Sequence, residues 1–218
     1  MKFRNFGFSL VGCVALLGMS MPAGAVVIEV GDAGDTKATS IKVPLGTTRI
    51  EGSLNANPDG PDAFDLVDLY RIRIVSPSKF FVTTGDGSDL FLIADPVLYL
   101  FNSSGVAVVM NDDANGSQAG IFGLPAGFLS GTYYLGISFA GVEPTDGFDP
   151  LFDALGSGDV LSSSSLGGWT GGPLTPNFDI SGLYAINITD VPEPGSLALL
   201  ALGLLGFGMT RRARSANV

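Results

Sequence analysis

Residues 68–75, Asp-Leu-Tyr-Arg-Ile-Arg-Ile-Val, admit one regular structure. Tyr70, Ile72 and Ile74 alternate with Arg71 and Arg73. A repeat of two puts the apolar side chains on one face of a strand and the arginines on the other, whereas a helix would scatter them around its axis. The run predicts a strand with one buried face and one wet face. Asp68 has the parity of the buried face. At the strand's start it would point toward the rim of the core, where a carboxylate needs backbone N–H donors or a cation.

Short runs of the same kind recur at residues 26–30, 47–54, 79–84, 97–101, 106–110, 119–124, 132–139 and 183–188. Residues 55–65, crowded with Asn, Pro, Asp and Gly, must form a loop. The runs 97–101 and 106–110 flank Asn102-Ser103-Ser104-Gly105; Gly in the last turn position accepts positive φ, so they predict a hairpin. Tyr133, Leu135 and Ile137 would share one face of their strand. Residues 143–177 lack a sustained period, and 35 residues is too long for an ordinary connection. They read as a long surface excursion that Leu151, Phe152, Leu155 and Trp169 could pin down. No amphipathic helix is evident between residues 26 and 190. Short strands separated by Gly, Asp and Pro turns predict an all-β fold, an antiparallel β-sandwich of jelly-roll type.

Both ends stand apart from that fold. Lys2 and Arg4 precede an apolar run over residues 6–19, and Ala23-Gly24-Ala25 supplies a small-residue cleavage pattern. This predicts a signal helix in a secretory signal peptide, residues 1–25, with the mature chain starting at Val26. Residues 26–190 form the sandwich domain. Residues 191–218 are a third unit: a stiff Pro-containing breaker, an uncharged Leu/Gly-rich run over 196–209, and then Arg211, Arg212 and Arg214. A hydrophobic segment stopped by positive charge is a membrane orientation signal. The run has 14 residues. As a short hydrophobic helix it reaches about 21 Å, against a hydrocarbon core of about 30 Å. A temporary anchor awaiting processing fits that length better than a permanent span; an ordinary single-span tail anchor is the plainer reading.

The tail resembles the PEP-CTERM sorting signal of Gram-negative bacteria. Pro192, Glu193 and Pro194 form the motif, followed by the short apolar run and the arginine cluster, in order, over about an eighth of the chain. The resemblance implies a partner exosortase that recognises and cuts the tail, a transient stay in the inner membrane, and association with exopolysaccharide and biofilm matrix. A second resemblance covers roughly residues 50–139. Asp68-Leu69-Tyr70-Arg71-Ile72, Asp95-Pro96-Val97-Leu98-Tyr99-Leu100-Phe101, Gly105, Asn111-Asp112-Asp113 and Ser130-Gly131-Thr132-Tyr133-Tyr134-Leu135 run in the order found in bacterial pre-peptidase C-terminal (PPC-like) domains. Those are non-catalytic β-sandwiches of secreted proteins, some of which bind calcium or polymeric substrates. The long 143–177 segment before a closing strand at 183–188 departs from that pattern.

Composition narrows the chemistry. The only cysteine is Cys13, inside the signal peptide, so the mature domain has no disulfide and no thiol chemistry. There is no histidine. That removes His-based nucleophile systems and His-containing zinc sites. Residues 26–190 carry 6 Lys and Arg against 20 Asp and Glu, a net −14. Nucleic acid is therefore disfavoured as a partner. The acid excess serves solubility, turns or calcium ligation equally well.

The strongest constellation is acidic. Asn111, Asp113, Asn115 and Gly116 match the start of a calcium loop, but the twelfth position is Phe122, so this is no EF-hand. Asp68, Asp95, Asp112, Asp113 and Asn115 are the candidate calcium ligands, with Asp68 and Asp95 expected to converge on the loop. The competing reading has these side chains capping turns. Paired carboxylates could in principle hydrolyse glycosides, but among 20 acids some pair falls at a suitable spacing by accident, and nothing marks a catalytic pocket. No enzymatic activity is expected. Trp169 is the one aromatic placed to stack on a sugar ring: exposure beside a groove would favour that role, and burial would favour a structural pin. Three sequons, at Asn102, Asn115 and Asn187, carry little weight in a bacterial protein. The sequence thus predicts an exported, non-enzymatic surface or matrix protein. The alternative is a calcium-dependent polysaccharide-binding module kept on the membrane.

Overall fold

The computed structural model describes residues 24–57, 64–85, 93, 95–114, 116–153, 158–172 and 181–190. Residues 1–23 of the expected signal peptide (1–25), the sorting tail at 191–218 and Leu155 lie outside the described residues. Twelve strands are described: β1 (Ala25–Ile28), β2 (Ile41–Lys42), β3 (Thr47–Asn55), β4 (Val67–Ile74), β5 (Phe80–Thr84), β6 (Pro96–Asn102), β7 (Ala107–Asn111), β8 (Gly120–Phe122), β9 (Gly131–Phe139), β10 (Val142–Thr145), β11 (Gly168–Gly171) and β12 (Ser181–Asp190). One 3₁₀ turn, Pro77–Lys79, precedes β5. No helix among the described residues is long and apolar enough to cross a membrane.

The strands form a β-sandwich. One sheet has the order β1-β3-β12-β5-β8 and the other β2-β4-β9-β6-β7. From β1 to β9 the chain changes sheet at every connection except the β6–β7 hairpin, so neighbours within a sheet are rarely neighbours in sequence. Most pairings are antiparallel, as the sequence predicts, but β1 joins β3 and β2 joins β4 in parallel. Both parallel strands come from the N-terminal stretch, which lies along one edge of each sheet. Two-residue β2 is too short for any periodicity to announce it.

Period-two alternation builds the core between the sheets. Tyr70, Ile72 and Ile74 of β4, Leu135 and Ile137 of β9, Ile50 and Leu54 of β3, and Tyr184 and Ile186 of β12 all turn inward and are buried. On the other side of β4, Arg71 and Arg73 are exposed, as their parity requires.

The excursion differs from its expectation. Its described parts, residues 143–153 and 158–172, do not merely run over the surface. β10 and β11 pair with each other, and the segment covers the outer face of the second sheet. Leu151, Phe152 and Leu166 pack there with Leu69, Val97, Tyr99 and Phe101 into a second apolar cluster. Tyr99 stacks against Phe101 at 6.5 Å, and Phe152 tilts onto Tyr99 at 5.6 Å. Residues 96–101 of β6 are therefore buried on both faces, giving a continuous apolar strand in place of an alternating one.

Candidate functional site

Both sheets bring carboxylates to the same end of the sandwich, in two separate groups. The first joins Glu29, Asp32, Asp65 and Asp68, whose carboxylate oxygens all lie within 4.8 Å of one another. Glu29 follows β1, Asp32 sits in the next turn, and Asp65 bridges Asn55 where β3 ends and β4 begins. Asp68, second residue of β4, is fully buried. It receives one backbone N–H and one hydroxyl: Ala33 N donates to Oδ1 at 3.2 Å, and the Tyr184 hydroxyl donates to Oδ2 at 2.5 Å. The Tyr70 hydroxyl lies in hydrogen-bond contact with that of Tyr184. Glu29 accepts from Ala33 N and Ser53 N, each at 2.8 Å.

Burial, then the charge of Asp65, pushes the Asp68 carboxyl up to about 9. Burial also raises Glu29, against hydrogen bonds from Ser53, Asp68 and Ala33 that pull the other way. Gly52 makes room for this network. It pairs with Tyr184 across the β3–β12 ladder, and a Cβ there would stand 2.3 Å from the Tyr184 hydroxyl oxygen and 2.5 Å from Glu29 Oε2.

The second group is Asp95, Asp112 and Asp113. Asp95 precedes β6, and Asp112 and Asp113 follow β7; the hairpin sets the start of one strand beside the end of the other. Burial, then Asp95 and Asp113, pushes Asp112 up to about 6. Burial, then Asp113, raises Asp95. Asp112 Oδ1 is buried with no hydrogen-bond partner. Asn111 is engaged structurally, its Oδ1 accepting from Gly120 N at 2.8 Å. Asn115 lies outside the described residues.

The expected convergence of Asp68 with Asp95 does not occur. β4 and β6 are not neighbours; each pairs with β9, which lies between them. Their starts are thus two strand spacings apart, about 10 Å. Asp68 meets Glu29, Asp32 and Asp65 instead. The last three were not singled out from the sequence, although two Asp or Glu pairs spaced by three, 29/32 and 65/68, were there to be read.

A cleft of ≈ 230 Å³ opens beside the first group, lined by Asp32, Asp35, Phe64, Asp65, Val142 and Trp169 among others. Trp169 is half-buried. Its Nε1 donates to the Asp35 carbonyl at 2.8 Å, and its ring meets Tyr99 edge-on at 5.4 Å and Phe101 at 6.1 Å. It is both a pin for the excursion and a wall of the cleft, so the two sequence readings are not exclusive. Phe64, 62% exposed, holds φ at 63°, an uncommon backbone state for a bulky residue.

A protein-family model described as the PEP-CTERM protein-sorting motif matches residues 190–212. Pro192, Glu193, Pro194, Arg211 and Arg212 fall within the match; they and Arg214 lie outside the described residues. Ala23 does too, whereas Ala25 opens β1. Among solved structures, the chain is similar to the pre-peptidase C-terminal domain of a collagenase from Bacillus anthracis. The identity is 13%, covering 78% of this chain and 100% of that one, with a TM-score of 0.33. No curated protein matches the chain. The sorting signal that the tail resembles thus recurs in the comparisons. The chain carries a PEP-CTERM sorting motif, which implies an exported protein sorted by an exosortase.

Proposed function

We propose that this chain is a non-enzymatic β-sandwich protein, sorted through its tail and destined for the cell surface or an exopolysaccharide matrix. The observation that carries this reading is the sorting motif at 190–212, which begins where β12 ends. The signal peptide, residues 1–25, exports the chain. The tail holds it in the inner membrane, and the exosortase cuts near Pro192, Glu193 and Pro194. Each Pro fixes φ and pushes the residue before it to extended geometry, presenting a helix-free segment to the protease. Asp190 keeps the fold whole across the cut: its carboxylate accepts from Val75 N at 2.5 Å and Ser76 N at 2.7 Å, tying the last strand residue to the β4–β5 turn. The intact mass of the protein from the surface or culture fraction tests this. Loss of the residues beyond about 194 supports processing; a mass retaining residues 211–218 in the membrane fraction refutes it. Replacing Arg211, Arg212 and Arg214 together should impair insertion or processing, and unchanged maturation would reject their role in orientation.

The cleft beside Trp169 favours a second reading, a calcium-dependent polysaccharide-binding module. Both acidic groups supply the hard oxygen donors calcium prefers. The donor chemistry fits at Glu29, Asp32, Asp65 and Asp68, and the orphaned Oδ1 of Asp112 fits a cation among Asp95, Asp112 and Asp113. A bound cation would neutralise clustered charge; Trp169 and Phe64 would offer aromatic faces to a sugar. Calorimetry with calcium, then with purified exopolysaccharide with and without calcium, tests it. Absence of heat with polysaccharide in both conditions refutes the module.

A further inference from the structure

The sandwich is polarised along its strands. One end carries both acidic groups. The other is formed by four loops, 43–46, 75–79, 102–106 and 123–130. None of them contains an Asp or Glu. Exposed apolar side chains stand at this end, Leu45 at 67%, Phe122 at 58% and Leu129 at 78%, with Phe81 packed on Phe122 at 4.8 Å; others, Val30 and Phe64 among them, stand at the acidic end, but there beside clustered carboxylates. Exposed Lys42, Arg73 and Lys79 stand at the same end.

The chain's two connections to its terminal segments also lie here. Ala25, the first residue of β1, pairs with Thr47 at the start of β3. Asp190, the last residue of β12, pairs with Phe80 at the start of β5 and binds the backbone after β4. Five residues, 191–195, separate it from the apolar run at Ser196, a reach of at most about 18 Å. A chain inserted by its tail must hold this end of the sandwich nearest the bilayer.

We infer that, while the tail is inserted, this end seats on an anionic phospholipid surface, with Leu45, Phe122 and Leu129 meeting the interface and Lys42 and Arg73 the headgroups, the one acid here, Asp190, being held by Val75 N and Ser76 N. The inference rests on the reading of the tail as a membrane anchor. The two acidic groups at the far end do not oppose it. β12 spans 10 residues, about 33 Å. That is roughly four Debye lengths at physiological salt, so the acids at the far end are screened from the membrane.

The test uses the chain from Val26 to Val218, which has no cysteine. Single Leu129→Cys and Leu45→Cys variants report the end nearest the tail, and Val30→Cys, at a position 89% exposed, reports the acidic end. Each is labelled with a fluorophore and reconstituted into protein-free vesicles of phosphatidylglycerol and phosphatidylcholine doped with a headgroup quencher. We expect quenching at 129 and 45, little at 30, and loss of the difference in high salt or in phosphatidylcholine alone. Equal quenching at all three sites in vesicles that retain the chain overturns the docking while leaving the anchor intact. Chain that does not float with the vesicles overturns the anchor and the docking together. Protection at 129 and 45 that requires added exosortase overturns the lipid assignment and makes the partner a protein.

Discussion

Asp68→Asn should remove most of the pH dependence of stability in the absence of divalent cations. The buried carboxyl sits at about 9 in the fold against an ordinary 3.8, so the folded state keeps a proton that the unfolded chain releases. Its contribution is fully present below the unfolded value and is lost as pH rises toward the folded one. The slope is about −1.4 kcal/mol per pH unit across that window. From pH 5 to pH 8 this amounts to about 4 kcal/mol, a large share of the 5–15 kcal/mol typical of a domain. Asn is neutral throughout, occupies the same volume, and keeps one oxygen to accept from Ala33 N while its NH2 donates to the Tyr184 hydroxyl oxygen. Glu29 is raised in the same pocket, so the proton belongs to the pair and some slope should survive the substitution.

Urea unfolding in chelator at pH 5, 6, 7 and 8, followed by the single Trp169, measures this directly. The wild type should lose stability steadily over that range, and Asp68→Asn should be nearly flat and the more stable of the two at pH 8. Calcium at about 100 times its dissociation constant should return about 2.7 kcal/mol to the wild type at pH 8 and far less to the variant. A flat wild-type profile in chelator, or an Asp68→Asn chain less stable than wild type at pH 8, would refute the reasoning.

Other substitutions probe the supports of the site. Phe152→Ala removes a fully buried ring from the second cluster and should cost about 3–5 kcal/mol, read as a fall in the urea midpoint. Trp169→Ala removes a half-buried ring and a hydrogen bond; about 3 kcal/mol should be lost, with the melting point followed by far-ultraviolet dichroism. Gly52→Ala drives a methyl against the Tyr184 hydroxyl and should cost about 1–3 kcal/mol, with the pH slope altered as well. Asp190→Ala strips the acceptor from Val75 N and Ser76 N and should cost about 1–3 kcal/mol, with faster amide exchange at those two positions.

What the sequence revealed followed from how local each signal is. The alternation at Tyr70, Ile72 and Ile74, the turn ending at Gly105 and the pattern in β9 are local, and the strands they predict are present. The meeting of Asp95 with Asp112 and Asp113 was within reach, because a hairpin sets the two strand ends side by side. The partners of Asp68 were not: Glu29 and Asp32 arrive on a parallel edge strand, and direction of pairing leaves no trace in composition. β10 and β11 were hidden by Glu143, Pro144, Gly168 and Gly171, residue types depleted in strands. The covering role of the excursion did leave a sign. Val97-Leu98-Tyr99-Leu100-Phe101 is apolar at every position, as a strand buried on both faces must be.

That double burial ties stability to the site. An exported domain without cysteine has no cross-link to restrain its unfolded chain, so burial must supply what a disulfide often provides. The excursion supplies it by laying a third layer on the second sheet, and Tyr99, Phe101 and Phe152 are each fully buried beneath or within it. Full burial of a large apolar side chain contributes roughly 1.5–3 kcal/mol, so these three rings outweigh a typical single bridge. The same layer lines the cleft through Trp169, Thr170 and Gly171, together with Asp65 and Val67 from the rim of the first core. Loosening the excursion should therefore open the cleft before it melts the sandwich. In Phe152→Ala, Trp169 fluorescence should shift to the red at denaturant concentrations where the β-sheet dichroism is still native. Coincident transitions by the two probes would show that the two layers unfold as one.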